Sequence, residues 1–202
     1  MRPLARLATC ALLTVALLVP LALGAAAAPG VAVGSAAPQF SLPDARSDRA
    51  ISLADYKGKI VVIEFRSTQC PICHAYDARV NAFVARYAAG TDARVVFLGI
   101  DSNRGESVRD IRAQAREVDA KYPILKDAGS KVADRFGASC TPHIFVIDGA
   151  GVVRYIGAID DNMDAARVQH HYLADAVDDL LAGRAVAVAQ TKAFGCAIQR
   201  SR

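Results

Sequence analysis

The chain has 202 residues, enough for one well-cored domain and too few for two comfortable ones. Its net charge is +4, of which Arg2 and Arg6 supply two, and no basic run carries interleaved aromatics, so nucleic acid is excluded as a partner. The hydrophobic fraction of 53% is inflated by the N-terminus and fits a globular protein.

Arg2 and Arg6 form a short positive n-region, and the stretch from Leu7 to Leu23 is uncharged and mostly apolar. Pro20 and Gly24 break a helix, and Ala25 to Ala28 offer the small side chains of a cleavage site. Because Pro29 is awkward directly after a cut, the cut falls after Ala27. Residues 1–27 therefore read as a signal peptide, Cys10 included, and residues 28–37 as a linker. The alternative is a retained membrane anchor, since Leu7 to Ala28 is close to spanning length. Export places the mature chain in the periplasm or otherwise outside the cytoplasm, where its four cysteines, Cys70, Cys73, Cys140 and Cys196, can be oxidised. Four cysteines allow three full pairings, and the one that keeps Cys70 with Cys73 leaves Cys140 with Cys196.

Ile60 to Phe65 is an apolar, β-branched run interrupted by Glu64, which predicts a central strand buried on both faces. From Pro71 the period changes: Ile72, Tyr76, Val80, Phe83, Val84 and Tyr87 recur at helical spacing. Val95 to Ile100 is a second buried strand, Val108, Ile111, Ala115 and Val118 mark an amphipathic helix, and Tyr122 to Leu125 is short and extended. Ser130 is expected to cap a brief helix that ends at Gly137. His143 to Ile147 and Val152 to Ile156 read as strands joined by the turn signal Asp148-Gly149-Ala150-Gly151. A long helix is predicted after Asp161-Asn162, with Leu173, Val177, Leu180 and Leu181 inward and Gly183 at its end. The order describes one α/β domain, a mixed sheet with helices on both faces.

Cys70 closes a strand and opens a helix, so its sulfur faces the unpaired N–H groups and the positive end of the helix dipole. Cys73, one turn further in, is more shielded. An exposed low-pKa sulfur attacks a disulfide and a buried partner resolves the mixed disulfide. A Cys-x-x-Cys can also be half of a zinc knuckle, but no second pair stands at ligand spacing. Glu64, alone in an apolar strand, costs several kcal/mol if buried, ionised and unpaired; its pKa should rise, and it can exchange protons with Cys73. The competing reading puts Glu64 at a sheet end against Arg66 or solvent.

Glu-Phe-x-x-x-x-Cys-x-x-Cys at a strand-to-helix junction, followed by Thr141-Pro142 at the head of a later strand, resembles the thioredoxin-like superfamily. The resemblance implies that Glu64 is the buried proton-transfer group, that Pro142 is cis and packs against the dithiol, and that Thr141, Pro71 and Ile72 border the substrate chain. The stretches Pro38 to Pro43 and Ile51 to Lys59, with an extra strand and helix between residues 94 and 122, resemble the redoxin branch, which holds peroxiredoxins and TlpA/ResA-like thiol reductases. The implied fold is a thioredoxin-like domain over residues 38–183 with the redoxin strand-helix insertion, and with residues 184–202 docked on it as a tail. The implied function is extracytoplasmic thiol–disulfide exchange on protein substrates. It needs no dissociable cofactor, but does need a membrane or soluble thiol electron donor.

The chain departs from this pattern in places. It has no Trp, and Arg66 and Gln69 stand near the first cysteine. For a peroxiredoxin-like peroxidase, Ser67 matches, but Ile63 stands where Pro is wanted. For an SCO-like copper chaperone the ligands would be Cys70, Cys73 and His143, although that family uses Cys-x-x-x-Cys. His74 also lies next to the dithiol in sequence, whereas His170 and His171 are expected on the surface. Cys140 and Cys196 are expected to form a structural disulfide that pins the tail. The competing arrangement has Cys140 exchange with Cys70 and pass the disulfide to Cys196.

Overall fold

The computed structural model describes residues 30–90 and 92–200; the expected signal peptide and its cut lie outside the described residues. Two short strands, β1 (Ser41–Pro43) and β2 (Ala50–Ser52), pair antiparallel at the margin. The core elements follow in the order β3 (Ile60–Arg66), α1 (Pro71–Tyr87), β4 (Val95–Asp101), α2 (Val108–Glu117), β5 (Ile124–Lys126) and α3 (Lys131–Phe136). After them come β6 (Cys140–Thr141), β7 (His143–Ile147), β8 (Val153–Gly157), α4 (Tyr172–Leu181) and β9 (Cys196–Ala197). The central sheet has the order β5-β4-β3-β7-β8; β3, β4 and β5 run parallel, and β7 and β8 return antiparallel. The strand-helix insertion β4–α2 is present as expected.

All seven residues of β3 are buried, as its apolar run predicts for the middle of a sheet. Alternation sorts its side chains between two cores. Ile60 and Val62 face α1, α2 and α4 through Tyr76, Val80, Ile111, Leu173 and Val177. Val61, Ile63 and Phe65 face α3 and the N-terminal segment. There Phe65, Phe136 and Phe145 form a triangle of rings, with centroids 5.8, 5.6 and 5.2 Å apart, each pair contributing about 0.5–1.5 kcal/mol beyond area burial. By the same parity, Glu64 and Arg66 share the face that α1 covers.

Two expectations about helix starts are corrected. α4 begins at Tyr172 and not after Asp161-Asn162, because those side chains accept hydrogen bonds from loop backbone: Gln169 N–H to Asp161 and Asp164 N–H to Asn162, both 3.0 Å. Ser130 precedes α3 in a left-handed conformation and donates its hydroxyl to the Ser102 carbonyl. Asp127 caps that helix instead, accepting from Val132 N–H and Ala133 N–H at 3.0 Å each.

The tail crosses the domain in steps. The Ile156 N–H donates to the Ala189 carbonyl, and the Thr191 N–H donates to that of Ile156. Phe194 packs on Tyr76, β9 pairs with β6, and Ile198 is buried in the aromatic core. Arg200 donates to the Ala138 carbonyl and to Asp134.

Candidate active site

The site forms where β3 runs into α1. Cys70 is the N-cap residue of α1 with extended dihedrals, and Pro71 follows at the first helical position, where a missing N–H costs nothing. Glu106 holds the intervening loop, accepting from Ser67 Oγ and from Thr68 N–H and Oγ1. These bonds, and one from Asp101, hold Glu106 below the usual carboxylate range in spite of its burial. The Asp101 carboxyl is itself pushed up to about 8 by burial and by Glu106 beside it.

Cys70 and Cys73 are both 1% exposed, so the expected contrast between an exposed first sulfur and a shielded second one is not found: β6 and the tail close over Cys70. The Cys70 sulfur lies 3.0 Å from the Thr141 carbonyl oxygen, to which it donates when protonated, and 2.9 Å from the Cys196 sulfur. When ionised, it accepts from the thiols of Cys73 and Cys196. Cys73 is the larger influence, and these donors hold Cys70 well below an ordinary thiol although burial opposes them. The Cys73 thiol is pushed up by the hydrogen bond it gives Cys70 and by its own burial. The dithiol therefore carries one thiolate, on Cys70.

Behind it, Glu64 is 1% exposed. Burial lifts its carboxyl to about 7, although Arg66, with Nη1 3.5 Å from Oε2, opposes the rise. Glu64 therefore lies inside the central strand and not at a sheet end or in solvent, with Arg66 as its neighbour on the same face. Arg66, itself 1% exposed, also donates to Asp77 at 2.8 Å, to Gln114 at 3.4 Å and to the Tyr122 hydroxyl. Gly99 lies opposite Glu64 on β4, and a Cβ there would stand 3.1 Å from Arg66 Cδ; the missing side chain makes the room in which Arg66 lies.

The sequence did not reveal the Arg66 network, the Glu106 clamp or the position of Cys196. Arg66 had a usable signal: two residues after Glu64 in a strand, it must share that buried face and need partners of its own.

Of the other candidates, Thr141 and Pro142 are buried beside Cys70 and joined by a cis peptide bond. Pro71 is exposed and Ile72 half-buried, both on the rim. Ser67 is buried, and its hydroxyl is given to Glu106.

The copper ligand set is not brought together. His143 has the parity of Phe65 and Phe145, so its ring lies on Phe145 (4.7 Å), on the face of the sheet opposite Glu64 and α1. Burial keeps it neutral, with its pKa at about 4. Among the described residues no three His, Cys, Asp or Glu side chains are grouped to hold a metal. His74 turns from the dithiol, placing Nε2 3.0 Å from the Thr68 carbonyl and Nδ1 3.4 Å from Asp77. His170 and His171 are exposed.

The expected Cys140–Cys196 disulfide is absent, and all four described cysteines are free. The register explains this. Thr141 stands opposite Cys196 and Cys140 opposite Ala197, so neighbouring strand positions send the Cys140 and Cys196 side chains to opposite faces.

The AhpC/TSA family model matches residues 33–156. The thiol-disulfide oxidoreductase ResA of Geobacillus thermodenitrificans is 31% identical over 142 residues, covering 70% of this chain and 76% of that one. Chloroplastic peroxiredoxin Q of Oryza sativa subsp. japonica is 32% identical over 134 residues, covering 62% of this chain and 58% of that one. The crystal structure of a hypothetical protein from Sinorhizobium meliloti 1021 superposes with a TM-score of 0.77 at 28% identity, covering 85% of this chain and 96% of that one.

Proposed function

Given that the chain belongs to the AhpC/TSA family, in the redoxin branch of thioredoxin-like proteins, we propose that it is a thiol–disulfide oxidoreductase. It works outside the cytoplasm on protein disulfides, with a thiol electron donor to restore the dithiol. The observation that carries this reading is the asymmetry of two equally buried sulfurs: the one at the head of α1 is held below an ordinary thiol, its partner is held protonated by the hydrogen bond it gives, and a carboxyl near neutrality lies behind them.

In this reading the Cys70 thiolate attacks a substrate disulfide and expels one substrate thiolate. Cys73 then attacks the Cys70 sulfur, losing its proton to Glu64, and the second substrate thiolate leaves. Thr141, buried beside Cys70 ahead of Pro142, and the rim residues Pro71 and Ile72 border the incoming chain. The likeness to ResA supports the reaction, and the apolar stretch from Leu7 to Leu23 supports export. Residues 38–183 serve as the catalytic domain and residues 184–202 as its docked tail.

The test is reduction of insulin disulfides by the protein with dithiothreitol. The wild type accelerates it and Cys70→Ser falls to the uncatalysed rate. Full activity in Cys70→Ser would mean that another sulfur is the nucleophile.

A further inference from the structure

We propose that Cys196 is a third redox-active thiol, which forms a disulfide with Cys70 and so resolves the same mixed disulfides as Cys73. This rests on the reading of Cys70 as the nucleophile. The β6–β9 pairing places Cys196 directly opposite Thr141, the residue whose carbonyl touches Cys70. The two sulfurs stand 2.9 Å apart, and a bond at about 2.05 Å needs a shift of less than an ångström.

The tail is shaped for this approach. A Cβ on Gly195 would stand 2.1 Å from the Thr141 carbonyl oxygen and 2.5 Å from its carbon, so no other residue lets the tail lie this close. On either side, Phe194 packs on Tyr76 and Ile198 is buried, which fixes Cys196 between two anchors. While Cys70 is a thiolate, the hydrogen bond that Cys196 gives it and its own burial push the Cys196 thiol up, with the Ile72 backbone N–H in the first turn of α1 acting the other way; a mixed disulfide at Cys70 removes the first of these. Cys196 is half-buried whereas Cys73 is covered, so the tail thiol is the resolving sulfur nearer to solvent.

The chemistry balances. In a mixed disulfide between Cys70 and a substrate thiol, the Cys196 thiolate attacks the Cys70 sulfur, the Cys70–Cys196 bond forms, and the substrate thiolate leaves and takes up the proton Cys196 lost. One substrate disulfide becomes two thiols and one disulfide forms in the protein. In the oxidised protein the same attack exchanges Cys70–Cys73 for Cys70–Cys196; Cys73 is released as a thiol and the number of disulfides is unchanged.

The test uses the full chain with Cys73→Ser, reduced and then given glutathione disulfide. We expect two glutathione thiols released per chain and a Cys70–Cys196 peptide link on mapping after thiol blocking. Cys73→Ser with Cys196→Ser should release one and stop at the glutathione adduct of Cys70, while Cys73→Ser with Cys140→Ser should behave as Cys73→Ser alone. Adding Gly195→Ala to Cys73→Ser should leave the first release unchanged and slow the second by about tenfold or more, since a misplacement near 1 Å costs an intramolecular reaction about a hundredfold.

A stable Cys70 adduct in Cys73→Ser with Cys196 intact overturns the role of Cys196 and leaves Cys70 as nucleophile. A Cys70–Cys140 link, or an unaltered second step with Gly195→Ala, overturns it too. No release at all from Cys73→Ser refutes the nucleophile itself.

Discussion

Replacing Glu64 by Gln tests the buried carboxyl by its effect on stability. In the unfolded chain this carboxyl ionises near 4.5, and in the native state near 7. Between those values the native protein holds a proton that the unfolded chain has released. Stability from this group is therefore full below pH 4.5 and falls as pH rises towards 7. At about 1.36 kcal/mol for each pH unit, the loss comes to about 3 kcal/mol by pH 8. Gln keeps the shape of the protonated acid, and Arg66 retains Asp77 at 2.8 Å as its counter-charge. Urea unfolding of the reduced proteins at pH 4.5 and pH 8 measures the difference. The variant should match the wild type at the lower pH and exceed it by about 3 kcal/mol at the higher one. The same substitution should slow disulfide reduction by about a hundredfold, since a positioned proton acceptor contributes about 10²–10⁴. A Gln variant no more stable than the wild type at pH 8 would mean that Glu64 is ionised at little cost, and the proton-transfer role would lose its basis.

Absorbance at 240 nm followed against pH should show one thiolate forming well below the range of a free thiol and missing in Cys70→Ser; a first ionisation near 9 would refute the assignment. Arg66→Met should destabilise the protein at pH 8 by about 3–5 kcal/mol in urea unfolding, because it strands Glu64 and Asp77 without their shared cation; a loss under 1 kcal/mol would show the network to be dispensable. Hydrogen peroxide should oxidise Cys70 slowly and yield a disulfide, since the Ser67 hydroxyl is engaged by Glu106 and Pro is missing at position 63. Rapid peroxide turnover with a thiol donor would favour a peroxidase.

The sequence was most informative where a long period carries the signal. The apolar run Ile60 to Phe65 and the helical spacing from Ile72 to Tyr87 located β3, α1 and the dithiol between them. It failed where two-residue strands decide the outcome. β6 and β9 have no periodicity to read, and pairing Cys140 with Cys196 by elimination ignored which face each side chain takes. The segment after Asp161-Asn162 misled for a related reason: Asp and Asn cap helices and loop turns by the same hydrogen bonds, and here they cap the loop. Charge inside β3 could be seen in the sequence, but the partners of Arg66 come from α1, α2 and the approach to β5, which no local pattern connects.

The alternation of β3 also makes two properties of the molecule separable. The residues at 61, 63 and 65 sit in the aromatic core, while those at 64 and 66 sit beneath the dithiol. A volume-conserving exchange among Phe65, Phe136 and Phe145 therefore alters how firmly the domain holds together but leaves the charges near the sulfurs where they were. A change at 64 or 66 alters those charges directly, and a side chain at 99 would displace Arg66. Melting temperature can thus be tuned from the aromatic side of the strand, in evolution or by engineering, while the reduction potential stays constant, whereas a change on the dithiol side moves both.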